Sequence, residues 1–428
     1  MTCISTRGQA PAVPFRDALL AGLAPDGGLY VPATLPRLSD ARWAALAGAS
    51  LADVALAMMA PLVEGDLPEA DLQRLLADAL SFPTPVVPLD DHLAVLELFH
   101  GPTFAFKDVG ARVLARLMSH FHAPGQPTLT VLVATSGDTG GAVAQAFHGV
   151  PRTRVVVLYP HGQVSAVQEA QFTTLGGNVT AVAVSGTFDD CQRLAKEAFA
   201  SAELRRRAHL TSANSISLGR LLPQMTYYGQ AALSTWVTGP VSMVVPSGNF
   251  GNIAAGLMAQ RMGAPIAHLH AATTVNDTVP RFLATGRLEP RPSVPTLANA
   301  MDVGDPSNLE RIRWMCGGRF EGVRAAMSAS VHTDAEVRAG IADMDRRYGY
   351  VADPHTAIAY LGARHRLEAG PTRQVLLLST AHPAKFGDVV EAAIGRPVVI
   401  PAPLAQAMAR PRHVEHIEPR LDALSPLL

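Results

Sequence analysis

The feature that most constrains the fold is a pattern that recurs from about residue 91 onward. A short apolar run is followed by a turn and then by a segment with helical periodicity. Parallel strands need a crossover between them, so this alternation is typical of a parallel sheet covered by helices. Right-handed crossovers place the strand-to-helix turns at one sheet edge, where ligands commonly bind. The predicted strands are LTVLVATS, RVVVLYP, VTAVAVSG, VSMVVPSG, PIAHLHAATT and QVLLLSTAH.

Residues 1–90 have a different character, which predicts a mainly helical N-terminal domain. The stretch FRDALLAGLAPDGGLYVP predicts a helix, a turn and a short strand. Amphipathic helices follow it, with Ser39, Ser50 and Pro68 as predicted starts. The proline-rich FPTPVVPLD is interpreted as a connector into the second region, residues 91–428.

Composition narrows the class of protein. The 428 residues are 48% hydrophobic and 17% charged, which is typical of a globular protein with a sizeable core. A net charge of −1 gives no case for binding nucleic acid or an anionic membrane. The three cysteines lack metal or disulfide spacing, and no apolar stretch is long enough to cross a bilayer. We therefore expect a soluble cytoplasmic protein with no catalytic metal.

Two of the strand-to-helix turns are rich in glycine: TSGDTGG at 135–141 and PSGNFGN at 246–252. Glycine lets the backbone approach a ligand closely, and the helix that follows presents free N–H groups to an anion. Neither turn matches the nucleotide triphosphate or dinucleotide patterns. Each turn by itself is equally compatible with a tight turn that binds nothing. Two such turns at one sheet edge favour a phosphate or carboxylate site.

Lys107, in HGPTFAFKDVGARVLARLM, lies between Phe106 and Asp108 at the predicted start of a helix. The helix dipole disfavours a cation there, and burial would lower the pKa of the amine. Both effects favour a reactive neutral amine that can form a Schiff base with an aldehyde. The alternative is a lysine that extends to solvent.

Five ordered motifs together resemble the threonine synthase family of pyridoxal phosphate (PLP) enzymes: FHGPTFAFKDVG, VATSGDTGGAVAQAF, SANSISLGR, VPSGNFGN and STAHPAKF. The resemblance covers nearly the whole chain, including STRG and DGGLYVP in the N-terminal region. It implies the PLP-dependent fold type II, which is like that of the tryptophan synthase β subunit. Two parallel-sheet α/β subdomains would then form residues 91–428, with the active site between them, beside the helical N-terminal extension.

The resemblance also implies roles for residues that contact the cofactor. Lys107 matches the Schiff-base lysine, which would afterwards act as general base and acid. Thr380 matches the hydroxyl residue that meets the pyridine nitrogen, or else a strand-end threonine that only bonds to backbone. The family's loop that cradles the PLP phosphate matches Gly248, Asn249, Phe250, Gly251 and Asn252.

The substrate residues are implied in the same way. The loop that grips the substrate carboxylate matches Ser136, Gly137, Asp138 and Thr139. Asp138 stands where relatives in the wider fold often carry asparagine, so we expect it to accept from a neighbour or to face the cofactor's 3-oxygen. The substrate-phosphate site matches Asn214, Ser215 and Arg220, and a guanidinium suits a phosphate dianion. The alternative for Arg220 is an arginine on a solvated helix face.

Further positions in these motifs have weaker assignments. His355 and His382 resemble family positions that frame the pocket, although structural roles are favoured for both. Lys385 is interpreted as either a second cation near the site or a solvated lysine. A turn and helix cap are predicted at Asp302, Asp305 and Asn308.

The implied reaction converts O-phospho-L-homoserine and water to L-threonine and phosphate. PLP would stabilise the carbanion left by the α-proton, and loss of a β-proton would then expel the γ-phosphate before water adds. One alternative is a phospho-lyase that releases 2-oxobutanoate, ammonia and phosphate. Another is a non-catalytic PLP-binding relative. The sequence leaves open whether the chain is a monomer or a homodimer.

Overall fold

The structure is a computed structural model that describes residues 1–122, 125–368 and 374–428. The N-terminal part contains a three-stranded antiparallel sheet in the order β2–β1–β3, followed by helices. Its elements are β1 (Thr2–Ser5), β2 (Val13–Pro14), α1 (Phe15–Ala21), β3 (Tyr30–Pro32), α2 (Asp40–Ala44), α3 (Leu51–Val63) and α4 (Glu69–Ala79).

Three helices of this part begin where the sequence predicts. The Ser39 hydroxyl accepts from the N–H of Arg42, and the Ser50 hydroxyl accepts from the N–H of Asp53, which are typical N-caps of α2 and α3. Pro68 directly precedes α4, where its fixed φ suits a helix start.

The remaining strands form two larger sheets. In chain order they are β4 (Val86–Pro88), β5 (Leu93–Glu97), β6 (Leu129–Ala134), β7 (Thr153–Pro160), β8 (Val179–Val184), β9 (Leu210–Ser212), β10 (Val241–Pro246), β11 (Ile266–Thr273), β12 (Met327–Val331), β13 (Val375–Ser379) and β14 (Val414–Ile417). One sheet has the order β12–β11–β10–β13–β5–β4, and the other has the order β14–β8–β7–β6–β9. All pairings in both are parallel except β4 with β5.

Helices cover these sheets and fill the connections between strands. They are α5 (Lys107–Phe121), α6 (Asp138–Phe147), α7 (Ala166–Thr173), α8 (Phe188–Ala200), α9 (Ala202–Ala208), α10 (Leu218–Leu221), α11 (Met225–Ala232), α12 (Gly251–Arg261), α13 (Thr278–Thr285), α14 (Leu309–Met315), α15 (Phe320–Ala326), α16 (Asp334–Tyr348), α17 (Pro354–Glu368), α18 (Gly387–Ile394), α19 (Ala402–Met408) and α20 (Leu421–Leu424). Short 3₁₀ helices span Leu222–Gln224, Asn299–Met301, Pro383–Phe386 and Ser425–Leu427.

The apolar core explains why the strands read as continuous hydrophobic runs. Every residue of β6, β10 and β13 is buried, because helices pack on both faces of each sheet. One large cluster joins the N-terminal helices to α5, and it includes Met58, Leu114 and Val131. The N-terminal part therefore packs directly against the helix that begins at Lys107.

The structure confirms the predicted α/β class with parallel sheets, and each strand predicted from the sequence is present. The sequence did not predict β1, β2, β5, β9, β12 and β14, which are two to five residues long and so too short to show a clear period. FPTPVVPLD is more than a connector because it contains β4. Its prolines are tolerated because β4 is the edge strand of the sheet.

Two general features bear on function. None of the helices in the described ranges has the length and apolarity that a membrane span requires. Within the same ranges, no group of three or more His, Cys, Asp or Glu is arranged to hold a metal ion. Cys3, Cys191 and Cys316 are buried free thiols.

Candidate active site

A cavity of about 620 Å³ lies at the carboxyl ends of strands from both parallel sheets. Its lining includes Ala134 and Ser212, which end β6 and β9 in one sheet. It also includes Pro246, which ends β10, and Thr380, which follows β13 in the other sheet. The cavity therefore lies at the sheet edge where the right-handed crossover rule places the strand-to-helix turns.

Lys107 lines this cavity as the first residue of α5. The segment before it is tied to the end of β13, because the Phe106 N–H donates to the Thr380 carbonyl at 2.9 Å. Ala105 also forms an antiparallel bridge with Ala381. Phe104 has a φ of 57°, a left-handed conformation that is unusual for a bulky side chain. The backbone therefore fixes where the lysine enters the cavity.

The surroundings of Lys107 favour a neutral amine. Its side chain is only 12% exposed, and burial lowers its pKa, as the sequence led us to expect. The Asp138 carboxylate, 3.6 Å from Nζ, opposes this shift, whereas the charges of Lys385 and Arg220 add to it. The Lys107 amine therefore lies near one negative charge, on Asp138, and two positive charges, on Lys385 and Arg220.

Asp138, the first residue of α6, accepts from neighbouring side chains. Its Oδ1 lies 2.6 Å from the Lys385 Nζ and also accepts from the Gln168 amide at 2.9 Å. Burial would raise the pKa of Asp138, but the ammonium groups of Lys385 and Lys107 outweigh burial and hold it below its usual range. Of the two roles expected for Asp138, acceptance from neighbours is the one that the structure supports.

The loop 246–252 approaches the cavity with its backbone. A Cβ on Gly248 would lie 2.5 Å from the Met301 Cα, so only glycine fits there. Phe250 has a φ of 59°, and α12 begins at Gly251, so the N–H groups of its first turn have no acceptor within the helix. Asn252 accepts from the Tyr227 hydroxyl through Oδ1 at 2.6 Å. This turn has the geometry of an anion cradle.

The loop 135–139 forms a second helix N-terminus at the cavity. The Thr135 hydroxyl accepts from the N–H groups of Gly137 and Gly140 at 2.9 and 2.8 Å, which holds the turn together. Gly137 has a φ of 137°, and a Cβ there would lie 2.6 Å from the Gln168 Cδ. Ser136 and Thr139 both line the cavity. The start of α6 can therefore meet a carboxylate.

The segment SANSISLGR also contributes to the cavity wall. Arg220 is only 2% exposed, and its Nη1 donates to the Ala213 carbonyl at 2.9 Å. Burial lowers the pKa of Arg220 to about 10, which still leaves the guanidinium charged near neutral pH. The Ser215 hydroxyl accepts from the Asn249 amide at 2.5 Å, so this segment is joined to the 246–252 loop. Asn214 lines the same wall.

Several buried polar atoms of cavity-lining side chains have no hydrogen-bond partner within the described part of the chain. They are Asn214 Oδ1, Arg220 Nε, Asn252 Nδ2, Asn299 Oδ1 and His355 Nε2. Buried polar groups in proteins are normally hydrogen-bonded, so unpartnered ones indicate that a ligand completes them. Their mixture of donors and acceptors, together with a lysine amine and an anion cradle, fits PLP.

The structure brings together most of the remaining candidates. Thr380 and His355 line the cavity, and His355 Nδ1 lies 2.5 Å from the Asp353 carboxylate. Lys385 is fully buried beside Asp138, which removes the solvated alternative. His382 instead accepts from the Ala384 N–H and so starts a 3₁₀ helix.

The segment 302–308 divides between the cavity and the structure around it. Asp302 and Asp305 line the cavity, and the Asp302 carboxylate also accepts from the Thr296 hydroxyl. Asn308 precedes α14 and accepts from Arg311 at 2.8 Å.

Sequence reasoning missed two residues of the site. Gln168, on α7, donates to Asp138, and Asn299 lines the cavity from the segment between α13 and α14. Neither stands in a motif. The helical period around Gln168 predicts only a helix, and the stretch around Asn299 has no period at all. Only the fold places Gln168 beside Asp138 and Asn299 at the cavity.

Family models match the chain along nearly all of its length. A model described as pyridoxal-phosphate dependent enzyme matches residues 79–380. Two further models, threonine synthase N terminus and threonine synthase C-terminal, match residues 2–80 and 356–427.

Similar proteins and structures carry the same name. The chain is 41% identical to threonine synthase of Serratia marcescens over 92% of this chain and 91% of that protein. It is 39% identical to threonine synthase of Escherichia coli strain K12 over 97% of this chain and 96% of that protein. The PLP-bound threonine synthase of Brucella melitensis superposes with a TM-score of 0.94 at 40% identity, over 100% of this chain and 98% of that one.

Proposed function

This chain belongs to the threonine synthase family of PLP-dependent enzymes, and we propose that it converts O-phospho-L-homoserine and water to L-threonine and phosphate. Its cofactor is PLP. The observation that carries the proposal is one cavity lined by a lysine amine and by two helix N-termini. A PLP enzyme with a phosphorylated amino-acid substrate needs an amine for the aldehyde and separate sites for each anionic group.

Lys107 is the proposed catalytic residue. When bound, PLP supplies an electron sink that lets the substrate lose protons from its α and β carbons. Burial favours the neutral form of the Lys107 amine, which has the lone pair needed to bond the cofactor and to accept a proton. Thr380, which directly follows β13 and lines the cavity, would offer its hydroxyl to the pyridine nitrogen of PLP. A hydroxyl partner would leave that nitrogen less protonated than a carboxylate partner would.

The cofactor phosphate is assigned to the cradle formed by Gly248, Asn249, Phe250, Gly251 and Asn252. Close approach at Gly248 and the open first turn of α12 support this assignment. The Asn252 Nδ2, buried and without a partner within the described ranges, is a further donor for a phosphate oxygen. The side chain of Asn249 is occupied, because it donates to Ser215 and accepts from the Ser307 N–H at 2.6 Å. Asn249 would therefore contribute through its backbone.

The substrate is held by the two remaining anion sites. Ser136, Gly137 and Thr139, at the start of α6, would bind its carboxylate, and Asp138 would accept a hydrogen bond from the Lys107 amine. The substrate phosphate is assigned to Asn214, Ser215 and Arg220. Buried Arg220 has an unpartnered Nε among the described residues and keeps its charge, so it can offer a strong donor to a dianion. Because a carbon–oxygen bond to phosphate breaks, the enzyme would be a carbon–oxygen lyase acting on phosphate.

An assay of both products tests the reaction. Purified holoenzyme is incubated with O-phospho-L-homoserine, and threonine, 2-oxobutanoate and phosphate are measured together. We expect threonine and phosphate in equal amounts. Release of 2-oxobutanoate and ammonia would instead identify the phospho-lyase, and no turnover with intact PLP absorbance would identify a non-catalytic relative.

The substrate-phosphate assignment has its own test. Arg220→Ala should lower kcat/KM at least about 100-fold, since it removes a charge-assisted contact from a buried site. Arg112→Ala is the matched control. Arg112 is on α5 and donates to the Ala79 carbonyl at 2.6 Å, away from the cavity. Equal kinetics for the two variants would place the substrate phosphate elsewhere.

The domain boundary at residue 90 and the cytoplasmic location of the protein stay predictions.

A further inference from the structure

The distribution of lysines points to a second functional amine. Of the 35 lysine and arginine residues in the chain, only three are lysines: Lys107, Lys196 and Lys385. Two of the three are buried around one carboxylate. Lysine is rarely buried without a partner because its ammonium is strongly hydrated, and its pKa responds readily to its surroundings. A buried lysine next to the cofactor lysine therefore needs an explanation of its own.

Lys385 is held rigidly by its contacts. It lies in the 3₁₀ helix Pro383–Phe386, and its side chain has no exposed surface. Its Nζ lies 2.6 Å from the Asp138 Oδ1 and donates to the Thr103 carbonyl at 3.0 Å. Its own carbonyl accepts from the Ser165 hydroxyl at 3.0 Å. Both ends of the residue are thus fixed.

Asp138 is shared unequally between the two lysines. Its Oδ1 receives the Lys385 ammonium at 2.6 Å and the Gln168 amide at 2.9 Å. Its Oδ2 is left for the Lys107 Nζ, at 3.6 Å. One carboxylate cannot neutralise two buried ammonium groups, and the closer pair is the stronger one. Lys107, with the longer contact and a cavity beside it, is therefore the amine that gives up its proton.

We propose that Lys385 is a positioning residue of this active site, which holds the Asp138 carboxylate in place as the acceptor for the Lys107 amine. This rests on the proposed function, in which Lys107 bonds to PLP. Lys385 touches neither the substrate nor the cofactor in this role. It occupies one oxygen of Asp138, turns the other toward Lys107, and repels a second positive charge. Arginine would keep the charge, and a neutral side chain would lose both effects.

The other charged groups around these three residues fit the same arrangement. Arg220 faces Lys107 and adds to the positive field there. His355 faces Asp138. Asp108 faces Lys385, but its carboxylate is already bound by the N–H and the hydroxyl of Thr103, at 2.9 and 2.6 Å. Asp138 is therefore the carboxylate that contacts both amines.

An absorbance titration of the holoenzyme without substrate tests the proposal. The lysine–PLP linkage absorbs at different wavelengths when its nitrogen is protonated and when it is neutral, so the midpoint reports the proton affinity at Lys107. Lys385→Met removes the charge at similar length and should raise the midpoint by about one pH unit, a tenfold gain in proton affinity. Lys385→Arg should keep the titration midpoint near that of the unmodified protein. Asp138→Asn should lower the midpoint.

Two comparisons separate positioning from packing. Arg206→Met, which removes an exposed positive charge on α9 outside the cavity lining, should leave the midpoint unchanged. Lys385→Met should also lower kcat much more than it changes KM. If Lys385→Met does not fold, Lys385→Gln takes its place, because it retains a donor for Thr103 without the charge. An unchanged midpoint in the neutral variant that folds would overturn the proposal, since Lys385 would then only fill space.

Borohydride reduction followed by peptide mapping keeps this test distinct from that of the proposed function. Three lysines make the map simple to interpret. A label on Lys107 with no midpoint shift in the neutral variants overturns the role of Lys385 alone. A label on Lys385, or on neither lysine, overturns the role of Lys107 and this inference with it.

Discussion

Two regions of the molecule bury polar side chains in opposite ways. In the candidate active site, the Lys107 amine, the Asp138 carboxylate and the Lys385 ammonium form an ionisable cluster beside a cavity, and side chains nearby have unpartnered atoms in the described ranges. In the six-stranded sheet, β11 and β12 carry a neutral chain of hydrogen bonds, here called the histidine–serine array. It runs in the order His268, Ser328, His270, Ser330, His332, with contacts of 2.7, 2.8, 2.9 and 2.8 Å.

The difference teaches how a ligand site can be told from a structural network. Along the array each serine hydroxyl is hydrogen-bonded to two imidazole rings, so the donors and acceptors of these side chains pair with one another. Burial lowers the pKa of His270 to about 3, so the array is uncharged near neutral pH. The candidate active site instead contains buried charged groups and unpartnered polar atoms, which lower the stability of the protein when no ligand is bound.

The largest effect is expected where charge is buried. Asp138→Asn leaves the Lys385 ammonium without its counter-ion, and the free energy of unfolding should fall by about 3–5 kcal/mol. Urea unfolding measures the loss. Asp345→Asn, at a surface pair with Arg396, is the control and should change stability far less. Similar losses in the two variants would remove the distinction between buried and surface charge here.

An intermediate effect is expected in the array. Ser330→Ala leaves nitrogens of His270 and His332 without the hydroxyl between them, which should cost about 1–3 kcal/mol of stability. Specific activity per folded molecule should stay unchanged, because the array lies outside the cavity lining. Ser81→Ala, at an exposed position, is the control. Loss of activity at full PLP content would show that the array serves the active site.

The smallest effect near neutral pH concerns His270, because its pH-dependent contribution develops only below about pH 6.5. The pKa of His270 is lowered from 6.5 to about 3 in the folded protein, so between these values the unfolded chain binds a proton that the folded protein excludes. Its contribution to stability is therefore fully present above pH 6.5 and is lost as pH falls toward 3. Unfolding measured across this window should show a shallower dependence in His270→Gln. The exposed control His413→Gln should keep the original slope, and equal slopes in all three proteins would contradict the assignment.

Much of the site could be predicted from local sequence because its parts are local. Glycine in 135–141 and 246–252, each after an apolar run, indicated two anion-binding turns, and both turns line the cavity. Lys107 could be singled out because aromatic residues and a helix start surround it. The parallel sheets followed from the alternation of strands and helices.

Partners distant in sequence could not be derived in this way. Nothing in HPAKF states that Lys385 reaches Asp138, and nothing in the runs around His268 and Ser328 states that β11 and β12 pair. Gln168 reaches Asp138, and Asn299 reaches the cavity, only because α7 and the 299–301 turn are packed there.

The sequence by itself determined the α/β class, the two glycine-rich turns that line the cavity and the place of Lys107 at a helix start, because backbone conformation and hydrophobic period depend on neighbours along the chain. Only the tertiary structure decided which charges share a carboxylate and which imidazoles share a hydroxyl. Those contacts depend on distances of a few ångströms between segments far apart in the chain, and they set the proton affinities on which the chemistry depends.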